Sequence, residues 1–368
     1  MQRVNASKIN CPSTASHRRG FTLIELLVVI FIIAVLVAIT VPALSSVRAS
    51  AKVSETRGLM QGLSSALQAF ELDRKTTAGY FSARDMGSTQ NTGTNFSAPG
   101  RGFSNMQNIM LDLAGGWQTT DPTNTLPEMG PTTTATVFVN VSTIGATNAA
   151  GKQYFTPTAK NWRKQDDSEG GQRASSVGTH ATLPELVDAF GTPILAWSED
   201  TNGPRKISNA TDFARGDSGA TGADAARFYR AGNAAFLTPG TAVGVKRTLQ
   251  DRSLLSTART APIIAATMTG FLGNPASAQN ASDSGAPLNE LLPSASRAGV
   301  VLQSAGKDGI YLSEEDKGAA VRGTTNPELF YGLNFRDLGN QPLRDTQNRP
   351  TSVDIISRFD DLVQAAGT

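Results

Sequence analysis

The residues whose types and spacing could do chemistry fall in three places. The first is the Gly20–Phe21 bond. It stands between Arg18-Arg19 and the run Phe21-Thr22-Leu23-Ile24-Glu25-Leu26-Leu27. A glycine between a basic head and an apolar run presents that bond to a peptidase at the membrane face. Glu25 is the only charge from Phe21 to Val41. A carboxylate just inside a membrane helix is costly, which marks it as functional rather than incidental. The second place is Ser304 to Asp316, where Asp308, Glu314, Glu315 and Asp316 put four acids within nine residues. Such oxygens are the hard ligands calcium takes, although the spacing does not fit an EF-hand loop. The third is negative. The two histidines are His17 and His180, and neither has a motif beside it that would make a zinc site or a Ser-His-Asp arrangement. No phosphate-cradling glycine loop is present either, so no enzymatic activity is expected.

These groups must be held by particular elements. Phe21 to Val41 is 21 residues long. As a helix it would span about 30 Å, the thickness of a bilayer's hydrocarbon core. Arg3, Lys8, Arg18 and Arg19 precede it with no acid among them. That bias favours a cytoplasmic N-terminus with the rest of the chain exported. A secretory signal carries its small residues after the apolar run; here the glycine comes before it. Cutting at Gly20 would leave the membrane helix as the new N-terminus, with a free amine at Phe21. In a bundle of identical helices, Glu25 of one subunit could neutralise the Phe21 amine of the next.

Composition excludes little else. The 368 residues carry 33 basic and 31 acidic side chains, which points to no nucleic acid partner. Removing residues 1–20 would leave the mature chain slightly acidic. It would also remove Cys11, the only cysteine, so no disulfide is expected. The 35 Gly and 18 Pro stay well under the ~25–30% share that signals disorder.

The segment from Gly20 to Leu27, with Pro42 twenty-two residues into the mature chain, resembles the type III leader of type IV prepilins, the family that includes the pseudopilins of type II secretion. The resemblance covers about the first fifty residues. It implies cleavage after Gly20, methylation of Phe21, an assembly role for Glu25 and a helix kink at Pro42. The partners it implies are a prepilin peptidase, other pilin or pseudopilin subunits, an assembly ATPase with its membrane platform, and membrane lipid. Asp188-Ala189-Phe190-Gly191-Thr192-Pro193 is similar to the Asp-x-aromatic-Gly-x-Pro segment of G-type pseudopilins. Ser304-Ala305-Gly306-Lys307-Asp308-Gly309 resembles their calcium-binding Ser-x-Gly-x-Asp-Gly loop. That likeness makes Asp308 and Asp316 the expected ligands, with Ser304 adding an oxygen and Asp354 a further acidic position.

The expected fold is α+β: one long helix, half in the membrane and half packed on a small antiparallel sheet, with large loop insertions. Four stretches follow: a leader at 1–20, a transmembrane half at 21–42, an amphipathic half at 43–74 and a periplasmic head at 75–368. Pro42 predicts a kink or local melting. Beyond it Leu59, Leu63, Ala66, Leu67 and Phe70 recur near the helical period, and Lys52 is spaced to pair with Glu55. The helix should end near Asp73. Ser104 should cap a short helix from Met106 to Leu113. Strands are expected at 135–141, 192–197, 262–267, 299–303, 309–312 and 353–357. Helices are expected at 183–190 and 223–235, and Asp308-Gly309 reads as a hairpin turn.

The function expected is that of a structural subunit of a pilus or pseudopilus filament in the inner membrane, most specifically in type II protein secretion. The alternatives are a signal-anchored periplasmic binding protein or enzyme, and an exported protein cut after Ala43.

Overall fold

In a computed structural model the described residues are 21–86, 104–120, 128–129, 137–140, 152–164, 184–216, 226–237, 247–279, 288, 291–316, 329–337 and 341–367. The leader, including Gly20, His17 and Cys11, and the loop with His180 lie outside them. The chain divides into two compact units after Ser50.

Helix α1, Leu23–Arg74, is the longest element at 52 residues. In the first unit its large apolar side chains are exposed among the described residues: Leu23 is 82% exposed, and Ile30, Phe31, Leu36 and Val47 are also bare. Leu, Ile, Val and Ala occur all round the helix, so no face is spared for water. An 18-residue window reaches a mean hydropathy of 3.2, and the helix is long and apolar enough to cross a membrane. The local melting expected at Pro42 does not occur. The helix continues through it, losing one N–H, while Ser45 Oγ donates to the Pro42 carbonyl at 2.7 Å.

In the second unit α1 becomes amphipathic. Met60, Leu63, Ala66, Leu67 and Phe70 are buried at spacings of three and four. They pack against one face of a three-stranded antiparallel sheet made of β1 (Leu195–Ser198), β2 (Val300–Ser304) and β3 (Leu362–Ala366), with β2 in the centre. The sheet residues facing α1 are Ala196, Val300, Leu302, Leu362 and Ala366. Period-2 alternation sends Leu195, Trp197 and Val301 to the opposite face, into a larger core with Phe213, Phe228 and Phe271. The fold is therefore mixed α+β, one long helix with small antiparallel sheets, as expected of a pilin-like chain.

Helix α2, Asn105–Ala114, starts with a capping box: Ser104 Oγ accepts the Gln107 N–H, and the Gln107 side chain accepts the Ser104 N–H. Helix α3, Ala261–Leu272, replaces the strand expected at 262–267. Its apolar run is buried over most of its length, where periodicity cannot tell helix from strand, and Pro262 suits a first helical turn.

Other expectations also fail for identifiable reasons. The helix expected at 183–190 is a strand, Pro184–Leu186, paired with Trp162–Lys164, followed by a turn. Of the helix expected at 223–235, the described part is a two-residue strand, Phe228–Tyr229, and a 3₁₀ turn, Ala231–Phe236. The strand expected at 353–357 is a 3₁₀ turn, Ile355–Arg358, because the Asp354 carboxylate accepts the Ile356 N–H and caps it. No strand forms at 309–312; the chain turns there instead, with Leu312 at φ 47°. The described residues of the stretch expected as strand at 135–141 include one, Val137–Val139. Glu55 pairs with Lys160 rather than Lys52, and the Lys52 ammonium lies 5.4 Å from the centre of the Phe190 ring.

Candidate functional site

Glu25 sits at the mouth of α1. Thr22 is the residue before the first helical turn, and its N–H and hydroxyl both donate to Glu25 Oε2, each at 2.8 Å. The Glu25 N–H donates back to Thr22 Oγ1 at 3.2 Å. This is a capping box, the pattern Thr-x-x-Glu satisfying helix-end donors that nothing else would. The sequence reading paired Glu25 with the Phe21 amine of a neighbouring subunit and passed over this local partner, although the i, i+3 spacing of Thr22 and Glu25 carries the signal. Phe21 precedes the box and is 75% exposed.

The Asp188–Pro193 turn is built on one buried carboxylate. Asp188 Oδ1 accepts the N–H groups of Phe190 and Thr192 at 2.8 and 2.9 Å. Gly191, at φ 88°, provides the left-handed step. The Ser304 hydroxyl donates to Asp188 Oδ2 at 2.6 Å, tying the turn to the end of β2. The Tyr311 hydroxyl donates to the Pro193 carbonyl at 2.5 Å. The Ala189 N–H donates to Thr56 Oγ1 at 3.2 Å, so the turn is also fixed to α1. Burial pushes the Asp188 carboxyl up, against the pull of these hydrogen bonds.

The acidic loop brings Asp308 and Asp316 together, and with them Asp360. One oxygen of each lies within 4.8 Å of the others. Backbone donors fix their positions. The Asp308 N–H donates to Asp360 Oδ2 at 2.9 Å, and the Asp360 N–H donates to Asp316 Oδ2 at 3.1 Å. The Ile310 N–H donates to Asp308 Oδ1 at 2.8 Å. Gly306, at φ 64°, lets the loop touch the Asp360 backbone; a Cβ there would lie 2.3 Å from the Asp360 carbonyl oxygen.

The Ser304 hydroxyl donates to Asp188 and accepts the Gly306 N–H. Asp354 is held by Arg297 in a two-pronged ion pair. Asp360, the third member, was missed: it lies 52 residues beyond Asp308 in the chain, and only the pairing of β3 with β2 brings it back.

The cluster fits a hard divalent cation. Its donors are all carboxylate oxygens, as calcium prefers. The Asp360 Oδ1 atom is buried with no hydrogen-bond partner. Burial, reinforced by Asp360 and Asp316, raises the Asp308 carboxyl from 3.8 to about 7. Burial also raises Asp316 and Asp360. Three crowded carboxylates in a half-buried loop are stabilised by a cation or by protons.

Residues 15–41 match the family described as the prokaryotic N-terminal methylation motif. The match supports reading this N-terminal segment as similar to that of a type IV pilin-like prepilin. Such a leader implies processing by a prepilin peptidase and assembly with other pilin subunits. An apolar helix able to span a membrane directly after it fits a single-pass, membrane-anchored pilin. No curated protein and no solved structure matches the chain.

Proposed function

We propose that this prepilin is a structural subunit of a type II secretion pseudopilus or a related filament, working mechanically and not as an enzyme. The observation that carries the proposal is the bare first half of α1. Its apolar side chains are exposed on every side, so they need lipid before assembly and neighbouring helices after it. The basic leader keeps the N-terminus cytoplasmic and the head periplasmic. An assembly ATPase and its membrane platform then lift the processed subunit into the filament. The acidic loop holds calcium through Asp308, Asp316 and Asp360 and fastens the end of β2 to the approach to β3. The likeness of that loop to the G-type pseudopilin loop favours secretion over adhesion, motility or DNA uptake.

Intact-mass analysis of the protein from cells with an active prepilin peptidase tests the first step. The expected species begins at a methylated Phe21. Gly20→Ala should be processed nearly as well, whereas Gly20→Leu should accumulate as the full-length precursor. Unmutated chain that stays full-length in those cells overturns the reading. Deleting the gene should then abolish secretion of type II cargo; intact secretion with loss of surface filaments would move the protein to an adhesive or motile pilus.

A further inference from the structure

A second cleft lies at the C-terminal end of α1 and shares no residue with the acidic loop. Its volume is about 520 Å³, within the range of small-molecule sites. One wall is aromatic. The Tyr80 and Trp117 rings pack at 4.8 Å and 59°, and Phe70 also lines the cleft. Trp117 is anchored from below by Phe81, Met86 and Leu111, while Tyr80 is 40% exposed. The rim is polar and carries both signs. Asp112 Oδ2 accepts the Gly79 N–H at 2.8 Å, which leaves Oδ1 for a further donor. Lys152 is held 3.3 Å from Asp73. Arg74 closes the end of the helix and lines the cleft, where its charge acts on Asp73 and Asp112.

This combination selects one ligand chemistry. A wholly apolar ligand would strip water from Arg74 and Asp112 without replacing it. A bare phosphate would satisfy the cations but offers no donor for Asp112. A sugar ring offers a C–H face to the aromatic wall, and its hydroxyls both donate to Asp112 and accept from Arg74 and Lys152. The planar guanidinium fork of Arg74 matches a carboxylate in two-pronged fashion. We propose that the cleft binds an acidic sugar, a hexuronate unit of a polysaccharide, stacked on Tyr80 and Trp117 with its carboxylate on Arg74. The site is independent of the filament reading and would serve a filament subunit or an anchored binding protein alike.

The test uses the full chain in a detergent without a sugar headgroup, with D-glucuronic acid and D-glucose as probes and saturation-transfer NMR as the readout. Glucuronate ring protons should receive saturation, and glucuronate should bind more tightly than glucose. Arg74→Gln should weaken glucuronate about tenfold, the order expected for losing a charged hydrogen bond, and leave glucose unchanged. Tyr80→Leu should remove both signals. Both side chains are exposed, so the variants should melt at the parental temperature, and a melt of each confirms that they fold. No transfer to glucuronate in the unmutated chain, equal affinity for the two sugars, or undiminished binding in both variants would overturn the proposal.

Discussion

The N–H and the hydroxyl of Thr22 converge on a single oxygen of Glu25, at 2.8 Å each. Before processing, therefore, the one carboxylate in the apolar run has a local partner and begins the helix. Cleavage after Gly20, of the kind such a leader implies, would create an amine at Phe21, one residue before this box. No Lys or Arg lies between Phe21 and Val47, so that amine would be the nearest cation for a neighbouring subunit's Glu25. Glu25→Ala should leave insertion, processing and head folding intact while sharply reducing the protein in sheared filaments. Thr22→Val removes the hydroxyl of the cap but keeps the carboxylate, and should assemble. If both variants assemble equally poorly, the cap and not the charge is what assembly requires.

The acidic loop predicts a pH dependence with a definite sign. Asp308 is raised to about 7. Between pH 4 and pH 7 the folded chain thus keeps a proton that the unfolded chain has lost. Without a cation, stability should fall as pH rises through that window. Asp188, Asp316, Asp360 and Asp361 are raised as well and act in the same direction. Calcium should displace the proton, so its stabilising effect should be larger at pH 7.5 than at pH 5. Scanning calorimetry of the full chain in detergent, with calcium or a chelator, measures this. Asp308→Ala should abolish the calcium shift. A shift as large at pH 5 as at pH 7.5 would contradict the carboxylate cluster as its source.

The N-terminal half of this picture was legible because it depends on local sequence alone. Charge bias, an apolar run and the Ser104 cap each act over a few residues. The head was harder to read. Pro262 to Ala266 is apolar throughout, and most of α3 is buried, so no polar face marks the period that would have declared a helix. Asp360 joins Asp308 only through strand pairing, and no spacing rule reports a contact between residues that far apart. The bond between Ser304 and Asp188, 116 residues earlier, is hidden from the sequence for the same reason.

That Ser304–Asp188 contact gives the next prediction. Asp188 is 3% exposed and accepts two backbone N–H groups and a hydroxyl. Asp188→Ala would leave two buried donors, the Thr192 N–H and the Ser304 hydroxyl, and the half-buried Phe190 N–H without their acceptor. The cost should be about 3 kcal/mol or more, since hydrogen bonds to charged groups contribute about 1.5–3 kcal/mol each. Asp188→Asn keeps an acceptor oxygen and should cost less. Chemical denaturation of the three proteins ranks them. Equal stability of the Ala variant and the parent would mean that the turn holds without its carboxylate.

Gly306 provides the sharpest test of the loop. Its φ of 64° is one that side-chain-bearing residues rarely adopt, and an added Cβ would meet the Asp360 carbonyl oxygen at 2.3 Å. The obstacle is backbone, so it cannot rotate aside. Gly306→Ala must lift the turn off Asp360 and lengthen the bond from the Asp308 N–H to Asp360 Oδ2, now 2.9 Å. A loss of about 1–3 kcal/mol is expected, as for other overpacked sites, together with a smaller calcium shift. Gly58 is the control. It lies in α1 with nothing within 4 Å of an added Cβ, so Gly58→Ala should be neutral or should stabilise by about 0.5–1 kcal/mol through helix propensity. The two substitutions are chemically identical and differ only in what the new methyl group meets. If they have the same effect on melting and on the calcium response, close approach to Asp360 is not what shapes the loop.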